Sequence, residues 1–415
     1  MTDVLRFIHA ADLHLDAPFA GIEAQDERVR QALVAATYAA FSRVVDACLD
    51  HDVDFLVIAG DVYNSRDKSL KAQLAFQDEV GRLHDAGIET YVAHGNHDPA
   101  SGWSAGLTLP ESVRFFPTGR VGRFEVIRDG RLRCVLYGRS FQRAAETANF
   151  AVEYSRQPED PVAIGVLHAN AGGNAEYEPY APCSLDDLRA ARMDYWALGH
   201  IHKPGRIIES PRAVYAGSPQ GLNPKESGPH GCYLVEISAG SVTEEFIETT
   251  GVRWESAIVN AEEIETIEQL RAELLDVCES LRETSTVPVV ARIDLQGRSP
   301  VRGELSRGTA LSELVADVRE DALAGDPWLW IDRVRDLTAP AIDIEAVRSA
   351  PDFSGDLVRL VDELLAQPVE ADAMLKAVLE PLEASIGAVE LENTATEILV
   401  RARDICLDRL LEGGE

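Results

Sequence analysis

Apolar residues in the first hundred positions alternate between short continuous runs and helix-like spacing. The continuous runs cover residues 4–11, 53–60 and 88–95, and each of them predicts a buried strand. Between these runs, residues 28–51 and 68–85 carry apolar side chains at helical spacing. The order β-α-β-α-β predicts a parallel sheet with helices packed against it.

Beyond residue 110 the helical patterns become rare and short strand patterns take over. They favour a second, mixed or antiparallel sheet, and the segments are RFEVIR, RCVLYGRS, VAIGVLHA, YWALGHI, AVYAGS, CYLVEI and VTEEFIE. Residues 1–250 are therefore expected to form an α/β sandwich of two sheets. An acidic helix and two strands predict a small α+β domain over residues 251–345, and residues 346–415 are expected to be helical with a Pro-marked break.

Length and cysteine usage narrow the class of protein. The 415 residues suffice for two or three domains, and no stretch approaches the ~18 apolar residues of a membrane span. The N-terminus shows no signal-peptide pattern, so we expect a cytoplasmic protein without a membrane partner. The six cysteines are scattered, which is typical of reduced, buried thiols. A P-loop is absent, so the chain is not expected to hydrolyse ATP.

The formal net charge of −31 argues against a broad electrostatic footprint for nucleic acid. Most of the excess negative charge lies beyond residue 250. If the chain binds nucleic acid, it needs local basic patches, bound metal cations or a basic partner. Four arginines of the second region could contact phosphates or could simply be solvated: Arg292, Arg298, Arg302 and Arg307.

Polar residues that can bind metal recur where the apolar runs end. Five strand ends carry them, and the residues are Asp12, His14, Asp61, Asn96, His97, Asp98, His168, His200 and His202. Ligands bind at the carboxyl ends of strands in open α/β folds. Residues two apart in extended chain face the same way, which would aim Asp12 with His14, and His200 with His202, at one point.

The type of these residues indicates the type of metal. A single histidine in such a place is most often structural, but DxH, GD, GNHD, H and GHxH in this order form a joint pattern. Carboxylate, amide and imidazole ligands without thiolate suit manganese, iron or zinc. Two divalent ions would need a bridging carboxylate, and Asp61 is the natural bridge because it ends the central strand.

This ordered set resembles the calcineurin-like metallophosphoesterases, and its GNHD and GHIH segments resemble the DNA-repair exonuclease branch, SbcD-type and YhaO-type. The resemblance covers about residues 1–250 and implies a four-layer αββα metallophosphoesterase sandwich, followed by a cap-like α+β domain and C-terminal helices. It also implies two metal ions, most often Mn, with Fe or Zn possible. One ion would take Asp12, His14, Asp61 and His202, and the other Asp61, Asn96, His168 and His200.

The resemblance further makes His97 the catalytic histidine and gives Asp98 the task of supporting the loop or orienting a histidine. One position departs from the family pattern. Three residues after the bridging Asp the family often has Asp or His, which is thought to steer the catalytic histidine. Here the residue is Asn64, which can hydrogen-bond but cannot carry charge.

The resemblance also implies partners: DNA, an SbcC-like coiled-coil ATPase that docks on the C-terminal helices, and a second copy in a homodimer. The apolar stripes of those helices could instead be core. Three functions stay open. The first is a Mn-dependent DNA exonuclease in repair, the second a phosphodiesterase of small phosphodiesters or nucleotides, and the third a weakly catalytic scaffold subunit of an ATPase complex.

Overall fold

The computed structural model describes residues 4–19, 22, 26–65, 68–128, 130–386 and 395–412. Two compact units make up the chain. The first unit comprises residues 1–255, 284–290 and 326–332, and the second unit comprises the rest. Residues 346–415, predicted as a helical region, belong to the second unit. The boundaries predicted at residues 250 and 345 remain predictions.

The first unit contains two six-stranded sheets. The strands of the first sheet are β1 (Leu5–Ala10), β2 (Phe55–Ala59), β3 (Glu89–Ala93), β4 (Val113–Phe115), β11 (Gly231–Ser238) and β12 (Ser241–Glu248). Their order is β12-β11-β1-β2-β3-β4; β1, β2 and β3 run parallel as predicted, and β4 adds a fourth parallel strand that was not predicted. Two helices cover the outer face: α1 (Glu27–Asp50) and α2 (Leu70–Asp85).

The second sheet lies behind the first. Its strands are β5 (Gly122–Arg128), β6 (Arg131–Arg139), β7 (Ala163–His168), β8 (Tyr195–Gly199), β9 (Gly205–Ile208) and β10 (Arg212–Tyr215), with the helix α3 (Leu185–Ala190). The order is β5-β6-β7-β8-β10-β9, with a parallel centre and antiparallel edges. Apolar side chains of both sheets share one buried cluster, which includes Phe7, Phe55 and Tyr195. The predicted four-layer αββα order is confirmed.

Helix α1 illustrates how sequence determines the outer layer. Its N-cap Asp26 accepts a hydrogen bond from the backbone of Val29, and Leu33, Phe41 and Val44 point into the core. In the described part of the chain, α1 is the one helix that is long and apolar enough to cross a membrane. The mean hydropathy of its most apolar segment is 1.4. Half of that segment is buried inside the protein, because the apolar face packs against the core of the first sheet.

The remaining strands and helices form or lead into the second unit. The strands are β13 (Arg253–Asn260), β14 (Val289–Gln296), β15 (Arg298–Ser299), β16 (Leu329–Asp336) and β17 (Ala339–Pro340). The helices are α4 (Ile267–Glu283), α5 (Arg302–Leu305), α6 (Ala310–Ala324), α7 (Ile344–Ser349), α8 (Phe353–Leu365), α9 (Pro368–Ile386) and α10 (Ala395–Glu412). The Pro-marked break falls between α8 and α9 as predicted. Within the region expected to be helical, the sequence pattern predicts a last helix over about residues 393–411; α10 is that helix, and residues 393–394 lie outside the described part.

Two of the candidate phosphate-binding arginines form ion pairs with carboxylates of the second unit. Arg298 donates to Asp404 over 2.9 Å, and Arg302 donates to Asp408 over 3.0 Å. Both carboxylates lie on α10, so these arginines hold the last helix in place. The stripes of the C-terminal helices are only partly core, since Leu360, Ile405 and Leu410 are exposed.

Candidate metal centre

The predicted ligand residues meet at one edge of the sandwich because five parallel strands end there. Asp12 and His14 follow β1, Asp61 follows β2, and Asn96 follows β3. In the second sheet, His168 is the last residue of β7, and His200 and His202 follow β8. Parallel strands of both sheets thus deliver polar side chains to the same place, as expected for α/β folds.

The loops after β1 and β2 run side by side, and their backbone conformation aims the ligands. The N–H groups of Asp12 and His14 donate to the carbonyls of Gly60 and Asp61, each over 3.0 Å. Asp12, His14, Asp61 and His200 have φ of 51°, 43°, 52° and 100°. Left-handed backbone, rather than the alternation of extended chain, therefore orients these side chains, and such backbone clusters at functional sites.

Three overlapping groups of side chains have ligand atoms within 4.8 Å of one another. They are Asp12–His14–His202, His14–Asp61–His97 and Asp12–Asp61–His168. Nε2 of His14 lies 3.1 Å from Nε2 of His202 and 3.9 Å from Oδ2 of Asp61. Nε2 of His168 lies 3.4 Å from the same oxygen of Asp61. Asp61 therefore belongs to two of the three groups, and its Oδ2 lies near one histidine of each.

Asn96 and His200 complete the second side of the centre. Oδ1 of Asn96 lies 2.9 Å from Nε2 of His168. The ring of His200 lies 5.3 Å from the ring of His168, although His200 is in none of the three groups. The Nε2–H of His200 donates to the carbonyl of Glu178 over 2.8 Å, which leaves Nδ1 as the nitrogen with a lone pair.

Two opposing effects set the protonation of the histidines at the centre: the carboxylates favour positive charge, and burial opposes it. Burial opposes a charge on His168, but Asp61 and Asp12 outweigh it and raise the pKa of His168 to about 9. Burial also lowers the pKa of His14 to about 3 and that of His200 to about 4, so both imidazoles are neutral. Neutral imidazole is the form that binds metal.

A divalent cation fits this arrangement. The Nδ1 atom of His14 is buried without a hydrogen-bond partner, and the Nε2 atom faces another imidazole nitrogen. Burial raises the pKa of Asp12 to about 6. Asp61 is also buried, but the histidines next to Asp61 hold the pKa of its carboxyl group well below the usual range. Two carboxylates and several nitrogen atoms at one point form a typical ligand set for manganese, iron or zinc.

The GNHD loop brings His97 to the open side of the centre. His97 is exposed, and its ring lies 4.7 Å from the ring of His14. Its backbone N–H donates to Oδ1 of Asp61 over 2.9 Å, and its Nδ1–H donates to the main-chain carbonyl of Asn64 over 2.9 Å. The contact with Asn64 is therefore made by the backbone, and Nε2 of His97 remains available to a substrate.

Asp98 is fully buried and ties two ligand loops together. Its Oδ1 accepts from the N–H of Gly95 over 2.9 Å, and its Oδ2 accepts from the N–H of Val62 over 3.1 Å. The loop after β3 is thereby fixed against the loop after β2. A side chain at Gly95 would not fit, because its Cβ would lie 2.2 Å from Oδ1 of Asp61.

Comparisons with known proteins agree with this geometry. A family model described as calcineurin-like phosphoesterase matches residues 5–204, and one described as metallophosphoesterase YhaO, middle domain, matches residues 254–339. An uncharacterized metallophosphoesterase, YhaO of Bacillus subtilis, is 37% identical over 340 residues, which cover 81% of this chain and 83% of that protein. This chain belongs to the calcineurin-like metallophosphoesterase family.

More distant relatives include named repair proteins and nucleases. The DNA double-strand break repair protein Mre11 of Methanopyrus kandleri is 27% identical over 294 residues, which cover 61% of each protein. SbcD, one of the subunits of the nuclease SbcCD of Bacillus subtilis, is 24% identical over 293 residues, which cover 61% of this chain and 73% of that protein. The chain spans about three-fifths of the length of the Mre11 relative.

Membership of the family fixes the class of reaction. This metallophosphoesterase is a hydrolase that acts on phosphodiester bonds, and its family uses a dinuclear metal centre. The predicted class of enzyme is confirmed. The described residues supply candidate ligands for that centre.

Sequence reasoning missed two contributors to the metallophosphoesterase centre. Nδ1 of His202 contacts Oε1 of Glu226 over 2.9 Å, and the carbonyl of Glu178 orients His200. Glu226 belongs to the loop between β10 and β11, 24 positions from its partner. A lone acidic residue in a loop rich in Gly, Pro and Asn carries no sequence signal for such a role.

Proposed function

We propose that this chain is a DNA exonuclease that depends on two divalent ions, most of all Mn²⁺, and acts in DNA repair with an SbcC-like ATPase. The overlapping ligand groups carry the proposal, because Asp12, His14 and Asp61 each belong to two of the three groups, as expected where two ions lie side by side. The choice of DNA is supported by the relatives, which include a DNA double-strand break repair protein and a component of a nuclease.

In this proposal the ligands divide into two sets that share Asp61. Asp12, His14, Asp61 and His202 hold one ion. Asp61, Asn96, His168 and His200 hold the other. The distances support this division, since Oδ2 of Asp61 lies 3.9 Å from Nε2 of His14 and 3.4 Å from Nε2 of His168. Asp12 also reaches His168, with 3.8 Å between Oδ1 and Nδ1.

His97 is the proposed catalytic residue. When bound, the two ions supply charge neutralisation on the phosphate oxygens and activation of the attacking water. His97 donates Nδ1–H to the carbonyl of Asn64, so its Nε2 can donate only when the imidazole is protonated. The imidazolium then transfers the Nε2 proton to the leaving sugar oxygen. Asp98 is a positioning residue that fixes the loop on which His97 lies.

A second candidate substrate is a small phosphodiester, which the net charge of −31 favours. Two lysines at the centre support DNA instead. Lys203 and Lys225 are exposed, and each is the sequence neighbour of one member of the hydrogen-bonded pair His202–Glu226. In this proposal they supply the local basic patch that an acidic nuclease needs.

The proposed assembly is a homodimer. Four large apolar side chains on or near α1 and α2 are exposed: Val34, Leu70, Leu74 and Trp103. The loop that carries Trp103 is fixed to α2, because Gln73 accepts from the backbone of Ala105 over 2.8 Å. Exposed apolar side chains of this kind are common at interfaces between copies. Leu74→Arg should convert the dimer to a monomer in sedimentation, with Leu360→Arg in the second unit as the control.

The remaining parts of the proposal concern location and the ATPase. The cysteines are all free, and Cys406 is the exposed one, which fits the reducing cytoplasm. The C-terminal helices expose Leu360, Ile405 and Leu410, and these side chains are the proposed contacts of the ATPase. The proposed cap-like domain, residues 251–345, would guide DNA.

The test of the proposed function is digestion of end-labelled linear DNA in the presence of Mn²⁺, with bis-p-nitrophenyl phosphate as a parallel small substrate. Wild-type protein should release nucleotides from DNA ends, and His97→Ala should not. Cleavage of the small diester with DNA left intact, in the presence and absence of the ATPase, would instead support the small-substrate enzyme.

A further inference from the structure

One side-chain carboxylate orients a histidine of the metal centre. The Nδ1–H of His202 donates to Oε1 of Glu226 over 2.9 Å. The lone pair of the neutral imidazole is then on Nε2, which faces Nε2 of His14 at 3.1 Å. Glu226 thereby determines which nitrogen of His202 points toward the group Asp12–His14–His202.

The carboxylate of Glu226 is itself held by its own loop. The backbone N–H of Leu222 donates to Oε2, and the side-chain amide of Asn223 donates to Oε1, each over 2.8 Å. The Nε2–H of His230 donates to the main-chain carbonyl of Glu226 over 3.1 Å. Only 14% of the Glu226 side chain is exposed. The loop therefore holds the carboxylate in place as an acceptor for His202.

This contact differs from those of the neighbouring histidines. Three other histidines of the centre donate to neutral main-chain carbonyls: His97 to Asn64, His168 to Ala59 and His200 to Glu178. A carboxylate fixes the tautomer as a carbonyl does, but it also raises the basicity of the imidazole that it accepts from. Glu226 is also accessible to mutation in a way that a carbonyl is not.

We infer that Glu226 is the positioning residue of one ion: it sets the tautomer of His202 and thereby the affinity of the group Asp12–His14–His202 for a divalent cation. The inference rests on the proposed function, in which this group binds one of two ions. Loss of the carboxylate should weaken the binding of that ion and should not change the binding of the ion that Asn96 and His168 would hold.

The test is calorimetric titration of chelator-treated full-length protein with Mn²⁺. Wild type should bind two ions, and Glu226→Gln should bind one of them about 10- to 100-fold more weakly. Glutamine can still accept from His202, but its amide NH₂ would face the N–H of Leu222 and the negative charge is gone. Glu226→Asp, which keeps the charge on a shorter side chain, should fall between the two.

The matched control is Glu176→Gln, which removes the same charge from an exposed residue of a neighbouring loop and should leave both affinities unchanged. Urea unfolding confirms that each variant is folded. A second measurement is ¹⁵N NMR of the histidine side chains without metal: His202 should be protonated at Nδ1 in wild type and should lose this preference in Glu226→Ala.

The outcomes separate the inference from the proposed function. If Glu226→Gln binds both ions as wild type does, or if the His202 tautomer is the same in Glu226→Ala, Glu226 has no positioning role. If wild type binds no Mn²⁺, Fe²⁺ or Zn²⁺, the proposed function fails, and the NMR result alone decides the role of Glu226.

Discussion

The imidazole of His97 is held by the backbone of Asn64: its Nδ1–H donates to the Asn64 carbonyl over 2.9 Å. The family pattern had suggested that the side chain at this position steers the catalytic histidine. The observed contact needs no particular side chain, because every residue has a carbonyl. Asn64 therefore does not by itself argue for the weakly catalytic scaffold.

This relationship predicts opposite results for two substitutions. His97→Ala should lower the rate of DNA cleavage by about 10²- to 10⁴-fold, the range for loss of a general acid. Asn64→Ala should keep the rate within about threefold, because the carbonyl remains. Initial rates on labelled DNA with Mn²⁺ provide the measurement.

A leaving-group comparison sharpens the assignment of His97. p-Nitrophenolate leaves without protonation far more readily than a sugar alkoxide, so His97→Ala should lose much less activity on bis-p-nitrophenyl phosphate than on DNA. Equal losses on both substrates would show that His97 does not act as a general acid. A large loss with Asn64→Ala would return the steering role to that side chain.

Gly95 allows a direct test of the approach between two ligand loops. The Cβ of Gly95→Ala would meet Oδ1 of Asp61 at 2.2 Å and its backbone N at 2.9 Å, so Asp61 must move. We expect loss of Mn²⁺ binding in calorimetry, since Asp61 is the carboxylate that both ions would share in the proposed centre.

The control for Gly95 is Gly81→Ala on helix α2, where the added Cβ has nothing within 4 Å. That variant should bind Mn²⁺ normally and gain about 0.5–1 kcal/mol of stability from helix propensity. If Gly95→Ala binds Mn²⁺ normally, the loop after β3 can move at little cost in free energy. The close contact between Gly95 and Asp61 would then not be needed for metal binding.

His9 predicts a component of acid sensitivity in the first unit. His9 lies on β1 with no exposed surface, where its Nδ1 contacts the hydroxyl of Tyr195 and its Nε2–H donates to the carbonyl of Leu198. Burial lowers the pKa of His9 from 6.5 to about 3. Above pH 6.5 the residue is neutral in both folded and unfolded chains. As the pH falls below 6.5, the unfolded chain binds a proton that the folded chain excludes, so stability is lost progressively toward pH 3.

The expected contribution of His9 between pH 6.5 and 5 is a loss of about 2 kcal/mol in the free energy of unfolding. His9→Gln should be less stable than wild type at pH 7 but should lose about 2 kcal/mol less on acidification. Urea unfolding at both pH values, in the presence of a chelator, measures the difference. Parallel losses in the two proteins would mean that His9 is protonated in the folded chain.

Charge reversal at Lys203 and Lys225 tests the choice between DNA and small substrates. Lys203→Glu with Lys225→Glu should raise KM for DNA and reduce the salt dependence of binding by roughly one unit of log–log slope for each lysine. Cleavage of bis-p-nitrophenyl phosphate should be unchanged, because that substrate has no neighbouring phosphates. Lys376→Glu on α9 makes the same charge reversal at a position distant in sequence and serves as the control. If the salt dependence of DNA binding is unchanged in the double variant, these lysines do not contact the DNA.

The sequence predicted the framework of the first unit because the framework depends on periodic patterns. The helix expected over residues 28–51 is α1 (Glu27–Asp50), and the run 53–60 contains β2 (Phe55–Ala59). The candidate ligand residues could be picked out because they follow those runs directly. The reason given for the DxH pair was wrong, since Asp12 and His14 lie in left-handed backbone rather than in extended chain.

Contacts between distant loops could not be predicted in this way. Glu226 meets His202 only because the strand β11 returns beside β1 and carries its preceding loop to the metal edge. Likewise, the sequence left open whether Arg298 and Arg302 contact phosphates or are solvated, and it did not predict that α10 places Asp404 and Asp408 beside them. Periodicity reports which face of an element is buried, and it contains no information about which loop the tertiary fold brings into contact with that element.

The carbonyl groups that orient His97, His168 and His200 belong to the path of the chain and not to its side chains. No codon change at Asn64 or Glu178 can delete such an acceptor. These positions are therefore free to drift during evolution while the histidines keep their tautomers. If diverged descendants of this chain are compared, the glycines and strand-end residues that fix the backbone should stay the same. The residues at the acceptor positions should vary.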